Sequence, residues 1–500
     1  MKKLFPLLLL ALFASTALMS QSHNCGVIHS DDAIIKERLM RNRTEISSAL
    51  SASRSTVYIP VTIHLIGSSS GSGLASVQKA MQMLCRLNTD FADQNVYFYL
   101  NGNIRFIYDD YMHSDSYDWG VMDEMGNNNV LNNLNIYVNA NVSQPVAGYY
   151  SPSHDFVWMG NGYANGSSTT ITHEVGHFFS LPHTFYGWED TNPLTEFGLN
   201  PVPAIVNGHP VENVARNNCL TAGDGFCDTE ADYISYRFGC PYLTSVQDPT
   251  GVEISPDATL YMSYAADECV TRFSQEQKDA MRADITGRGW LNLPAPQSTA
   301  GLSADNISPV TPALGSVVGG VSSIRFEWDT VGAATATGWY FLLERTLLGS
   351  TIGTVYTGVV NGQNFIDIPT SYLLSNKQYQ WSVYPFSSGY ACAAYSNKFN
   401  FNTGILSAVN QTEKQLLTGS VYPNPANTET VQLEIESDKN LNGNLRIFSA
   451  DGRLSFEMPL EIAAGTQNFQ LNTATLSSGL YILVLNTGSG VWTEKLIIAK

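Results

Sequence analysis

Charge is scarce in this sequence, and positive charge is scarcest. Of 500 residues only 14% are Asp, Glu, Lys or Arg, and 26 Lys and Arg stand against 44 Asp and Glu, a formal charge of −18. A nucleic-acid-binding surface needs basic residues to displace counterions, so no nucleic-acid partner is expected. Docking on anionic lipid is disfavoured for the same reason. Long apolar runs are also missing, except at the very start. No later stretch approaches the roughly 18 apolar residues that a membrane-spanning helix needs. Histidine is rare, at nine residues. Low charge does not mean disorder here, because 44% of the residues are hydrophobic and can bury real cores. At roughly 100–200 residues per domain, the length suggests about three domains.

The exceptional apolar run lies at residues 4–19, behind Lys2 and Lys3 and ahead of Ser20, Gln21 and Ser22. It is short for a spanning helix and reads as a cleavable export signal, residues 1–20, with cleavage after Ser20 or Ala17. The seven cysteines then lie in an oxidising compartment. They are Cys25, Cys85, Cys219, Cys227, Cys240, Cys269 and Cys392, and an odd number leaves at least one thiol out of any pairing. Four fall between 219 and 269, which allows three connectivities.

Residues 27–54 mix apolar and charged positions in a helical manner, with basic residues at Arg38, Arg41, Arg43 and Arg54, and 21–54 reads as a propeptide. From residue 55 strands alternate with long helical patterns, as in the β-branched run 56–66 and the helical stretch 76–94. This predicts an α/β (α+β) domain over 55–293. A Pro-rich linker covers 294–307. Residues 308–402 then read as short strands between Gly, Ser and Asn turns, a β-sandwich. Trp328 and the strand 379–384 give it a resemblance to fibronectin type III domains. After a second linker, 403–420, another β domain runs from 421 to 500. It opens on Tyr422-Pro423-Asn424-Pro425, contains Ser478-Gly479-Leu480-Tyr481 and ends on Lys495-Leu496-Ile497-Ile498-Ala499-Lys500. This segment resembles the C-terminal sorting domain of the type IX secretion system. The resemblance implies passage through the periplasm of a Gram-negative bacterium, contact with the secretion machinery, and release or attachment at the cell surface after the domain is removed.

The chemistry concentrates in Thr172-His173-Glu174-Val175-Gly176-His177-Phe178-Phe179-Ser180-Leu181-Pro182-His183. His173 and His177 are four apart and share one helix face, where two imidazoles can bind one zinc ion. Glu174 lies beside them, within reach of a water on that ion. Pro182 turns the chain, which can bring His183 back as the third ligand. Three protein ligands leave a coordination position open, the requirement of catalytic zinc. The motif resembles that of the metzincin zinc proteases, and within them the pappalysins. Asn135-Ile136-Tyr137-Val138, Leu87-Asn88-x-Asp90-Phe91, Tyr261-Met262-Ser263-Tyr264 and Phe273-Ser274-x-Glu276-Gln277 carry that likeness across 55–293. The resemblance implies Met262 as the apolar floor beneath the ligands, Tyr264 as oxyanion stabiliser, and Glu174 as general base and then acid. It also marks a departure: the family's glycine is Ser180 here. That glycine permits a positive-φ turn, which costs a serine on the order of 1 kcal/mol.

Further expectations follow from the same likeness. Asp224-Gly225-Phe226-Cys227-Asp228-Thr229 is similar to the family's calcium loop, with Asp224, Thr229 and the Cys227 carbonyl as ligands. The nearby disulfides are expected as Cys219–Cys240 and Cys227–Cys269. Cys25, alone ahead of the domain, can place a thiolate on the zinc and silence it, a cysteine switch; a disulfide to Cys85 is the alternative. Cys85 sits among apolar helix positions and is expected buried and free. Glu268 stands where the family places an acidic residue in the pocket after the cut, which favours Arg or Lys there. Self-cleavage at Ser53–Arg54 then suits activation. The chain thus reads as a secreted, monomeric, latent zinc endopeptidase acting on proteins or peptides. One rival is an inactive surface adhesin that keeps the protease fold, which only Ser180 favours. The other is a zinc hydrolase of non-peptide amides.

Overall fold

A computed structural model describes Cys25 and residues 29–49, 55–406, 417–449, 454–487 and 491–499, apart from 70, 141, 142, 144, 145, 199, 235–238, 242, 243, 292–294 and 297. The expected export signal and the Ser53–Arg54 bond lie outside the described residues.

The chain begins with α1 (His29–Ala49) and continues into β1 (Val57–Gly67), buried at every position but Tyr58. A strand so uniformly apolar can only be central, covered on both faces. It runs parallel to β2 (Val96–Leu100), β3 (Arg105–Tyr108) and β4 (Leu134–Asn139). The sheet order is β2-β1-β4-β6-β5, with β3 beside β1. β6 (Phe156–Gly160) continues the parallel set, and β5 (Gly148–Ser151) closes the edge antiparallel to it. Such connections require crossovers. One is α2 (Val77–Asp90), capped by Ser76 and anchored through Val77, Ala80, Met81, Met83, Leu84 and Leu87. Another contains α3 (Trp119–Asn127), capped by Asp118. After β6 comes α4 (Thr170–Phe178), all nine residues of which are buried. A long irregular segment follows, in which the described residues include the single turn α5 (Pro193–Glu196) and the short hairpin of β7 (Ile205–Val206) and β8 (His209–Pro210). Its own apolar cluster forms around Trp188, Tyr233 and Phe185. The domain closes with α6 (Gln275–Gly287), which starts in a capping box between Ser274 and Gln277. α1 packs on α6, with Ile35 and Leu39 fully buried in the domain core.

The second domain is a β-sandwich. One sheet is β10 (Val317–Val318), β16 (Phe399–Thr403), β15 (Gln378–Phe386), β12 (Gly338–Leu347) and β13 (Ser350–Asn361); the other is β14 (Phe365–Pro369), β11 (Ser323–Trp328) and β9 (Pro309–Thr311). Trp328, Trp381, Phe326 and Phe341 fill the space between them. Leu302, Ala304 and Ile307 are buried in this core, so the domain starts inside the expected linker. The third domain stacks β17 (Leu417–Tyr422), β18 (Thr430–Ser437) and β21 (Gly465–Asn472) on β20 (Leu454–Ile462), β19 (Leu441–Ser449), β22 (Gly479–Asn486) and β23 (Val491–Ile498). The expectation of an α/β domain and two all-β sandwiches is met in outline, with strand outweighing helix among the described residues.

The disulfides correct three expectations. Cys85 is not a free buried thiol: it is half-buried and bonded to Cys392 of the second domain, 307 residues away. The loop that carries Cys392 packs on the first domain, where Leu100 N donates to Ser388 O at 2.8 Å and Tyr97 Oη donates to Gly389 O. The other pairs are Cys219–Cys227 and Cys240–Cys269, not the crossed arrangement. A turn at Arg216–Cys219 folds Cys219 back to 5.1 Å from Cys227 between Cα atoms, leaving Cys240 for Cys269. Cys25 stays a thiol.

Candidate active site

α4 is held by tight contacts rather than by its own propensity. Asp267 accepts from the backbone N and the Oγ1 of Thr169, at the helix start. Thr172 Oγ1 donates to Asp90 of α2 at 2.6 Å. Two glycines permit close approach on either side. A Cβ on Gly148 of β5 would lie 3.0 Å from Glu174 Cγ and 2.9 Å from Thr170 Cγ2. A Cβ on Gly176 would lie 2.3 Å from Met262 Sδ, so the sulfur packs directly against the helix. The helix ends in a Schellman motif. Leu181 N donates to Gly176 O at 3.0 Å and Ser180 N to His177 O at 2.8 Å. Ser180 is the left-handed residue of that motif, at φ 69°. Its hydroxyl donates to Asp284 Oδ1 of α6 at 2.7 Å. The serine therefore takes the glycine's conformation and gains a buried hydrogen bond that glycine lacks.

This turn carries His183 back to the helix. His177 Nε2 lies 3.1 Å from both His173 Nε2 and His183 Nε2. A carbonyl oxygen can only accept, so the Nδ1 atoms facing Tyr261 O and Leu181 O, each at 2.7 Å, carry the protons of His173 and His177. Their Nε2 lone pairs then point at a common centre. Burial pushes His177 well below its ordinary range and His183 down to about 3, so these rings are neutral, as a metal ligand must be. Two imidazole nitrogens on one tetrahedral zinc stand about 3.3 Å apart, close to the spacing found. The residues fit the ion.

Glu174 is fully buried against the trio. Burial pushes its carboxyl up to about 8, and a hydrogen bond from Cys25 pulls the other way. That bond runs from Cys25 Sγ to Glu174 Oε2 at 3.4 Å. The Cys25 sulfur also lies within 4.8 Å of the donor nitrogens of His173, His177 and His183. Its backbone bridges to Gly148 on the edge strand β5, and its carbonyl accepts from Tyr264 Oη at 3.2 Å. Burial holds the Tyr264 phenol well above its ordinary range, so it is a proton-bearing donor. Its ring sits 5.0 Å from that of His183 and 5.8 Å from that of His173.

Sequence reasoning did not single out two further groups. Glu189 Oε1 lies 3.5 Å and Asp32 Oδ1 3.9 Å from His183 Nδ1, so both face the outer side of that ring. No motif spacing marks them, because one comes from the irregular segment and the other from α1. Of the tentative residues, Glu268 is exposed rather than a buried pocket carboxylate. The three expected calcium ligands do not form a cation cage. Asp224 Oδ1 accepts from Phe226 N and Thr229 Oγ1, and the Cys227 carbonyl accepts from Arg216 Nη1. The cation that faces Asp224 is Lys36 of α1. Calcium is not supported.

Three buried imidazole lone pairs beside a carboxylate are the donor set of a catalytic zinc centre with one position left for water. Known proteins point the same way. The chain is similar to extracellular metalloproteases of Pyricularia oryzae, 23% identical over 56% of this chain and 94% of theirs, and of Arthroderma gypseum, 26% identical over 56% and 89%. A third, from Colletotrichum graminicola, is 25% identical over 46% of this chain and 76% of its own. Residues 420–499 match the secretion system C-terminal sorting domain. Among solved structures, the FN1–FN3 domains of chicken CNTN1 align at 12% identity over 40% of this chain and 67% of theirs, with a TM-score of 0.16. Overlap that low carries no argument.

Proposed function

We propose that this chain is the latent precursor of a secreted zinc endopeptidase resembling the pappalysins, exported by the type IX route of a Gram-negative bacterium. The observation that carries the reading is the convergence of three Nε2 atoms beside Glu174, with Cys25 at the same point. His173, His177 and His183 would hold the ion, which supplies Lewis acidity and lowers the pKa of water. Glu174 accepts the proton of the attacking water and returns it to the amide nitrogen as the C–N bond breaks. The Tyr264 hydroxyl already donates to a peptide carbonyl, that of Cys25, and would donate to the oxygen on which charge develops. Edge strand β5 gives an extended peptide a backbone to pair with, as Cys25 does. In the precursor the Cys25 thiol holds this place, and residues 21–54 act as the prosegment, released near Ser53–Arg54. The adhesin reading loses its ground, since Ser180 fits the turn.

The test is a peptide-library digest by the processed protein, beside Glu174→Ala and a chelator control. Cuts that vanish in both controls support the mechanism. A folded, zinc-loaded protein that makes no cuts refutes it.

A further inference from the structure

The prosegment helix α1 sits in a slot whose chemistry is specific. Ile35 and Leu39, one turn apart, are fully buried in the first domain's core. Around them three basic residues each meet a built partner. Lys36 Nζ donates to Gly223 O at 2.9 Å, lies 5.0 Å over the Tyr186 ring and faces the carboxylates of Asp224 and Glu212. Arg43 Nη1 donates to Leu220 O at 3.1 Å, with its guanidinium 5.7 Å over Phe226. Arg38 Nη1 donates to Tyr150 Oη at 3.0 Å. A Cβ on Gly225 would come 2.6 Å from Lys36 Nζ and 3.0 Å from Arg43 Nη2, so the glycine keeps the slot open for both cations. Even with α1 in place, Asp224 Oδ2 and Glu212 Oε1 are buried oxygens with no hydrogen bond. Lys36 compensates Asp224, and Arg216 and Lys36 together compensate Glu212. Asp32, one turn before Lys36, reaches to 3.9 Å from His183. The slot therefore starts about 6 Å along the helix axis from the catalytic centre.

Release of the prosegment leaves this surface apolar, acidic and contiguous with the cleft. We propose that it becomes an exosite for substrates with a cationic amphipathic helix beside the scissile bond. The pattern it takes is the one α1 shows: apolar residues at i and i+4, and basic residues at i+1, i+3 and i+8. This rests on the reading of residues 21–54 as a removable prosegment, and it adds a substrate class to it.

The experiment uses the full Glu174→Ala chain, folded intact. A sequence-specific protease then cuts it at a site placed at residues 50–54, and the prosegment is washed off in high salt. A fluorescent peptide of residues 33–49, which lacks Cys25, Asp31 and Asp32, is titrated in by anisotropy. Binding is expected, weakened at least tenfold by Lys36→Glu with Arg43→Glu in the peptide and weakened by 0.5 M NaCl. With the active protein, the same peptide should inhibit cleavage of a substrate extended by such a helix and spare a short one. No binding, or equal binding of the charge-reversed peptide, overturns the exosite. Because binding is read on the Glu174→Ala protein, failure of the protease reading would show separately, as absent hydrolysis with binding intact.

Discussion

Ser180 offers the sharpest quantitative test, because two opposing effects meet in one side chain. Replacing it by glycine relieves a left-handed backbone strain of about 1 kcal/mol. It also adds about 0.5–1 kcal/mol of unfolded-chain entropy. The larger effect is loss of the buried hydrogen bond to Asp284, about 1.5–3 kcal/mol for a charged acceptor. Asp284 keeps Asn42 at 2.7 Å and Arg288 at 2.9 Å, so it is not orphaned and the low end applies. Ser180→Gly should therefore destabilise the first domain by about 1–2 kcal/mol. Ser180→Ala, which keeps the strain and loses the bond without the entropy cost, should lie level with the glycine variant or up to about 0.5 kcal/mol below it. For a domain of this size 1 kcal/mol moves Tm by about 2–4 °C. Scanning calorimetry of the full chain should thus show the glycine variant melting about 2–8 °C below the parent and the alanine variant level with it or up to about 2 °C lower. A glycine variant that melts above the parent would refute the argument that the hydroxyl compensates for the turn.

Four further outcomes are expected. Cys25→Ser removes the thiol beside the histidine trio, and the unprocessed chain should hydrolyse a short peptide at least tenfold faster than the parent, read before any prosegment is lost. Tyr264→Phe should lower kcat by about 10- to 100-fold with little change in KM, because the hydroxyl acts on charge that develops late; an unchanged kcat would remove it from the mechanism. Cys85→Ser with Cys392→Ser opens a link spanning 307 residues and should cost about 2–5 kcal/mol in the unfolding of the first two domains, measured by denaturant titration. His64 is buried against Tyr137 and bonded to Asn135, and burial drives it down to about 4. Below about 6.5 the unfolded chain takes up this proton and the folded chain does not. Stability should therefore fall as pH drops from 6.5 towards 4, by up to about 3 kcal/mol, and His64→Phe should flatten that slope.

What was legible in the sequence follows from the range of each interaction. His173, Glu174 and His177 lie within one helical turn, and His183 needs only the turn that Ser180 and Pro182 impose, so local spacing sufficed. The positive φ at Ser180 was readable for the same reason; its bond to Asp284, 104 residues away, was not. Cys219–Cys227 was misjudged because a turn eight residues long competes with longer loops on nearly equal terms in sequence. Cys85–Cys392 was invisible, because it depends on how a loop of one domain docks on a helix of another. The basic run at Arg38, Arg41 and Arg43 was noticed but had no partner until the fold set Asp224 and Glu212 opposite Lys36. In a chain of charge −18, α1 sets Lys36 and Arg43 against Asp224, while its own Asp31 and Asp32 are buried as well. Asp224 and Glu212 belong to the first domain, so release of α1 would leave both in place, and the proposed substrate surface would be the one α1 covers in the precursor.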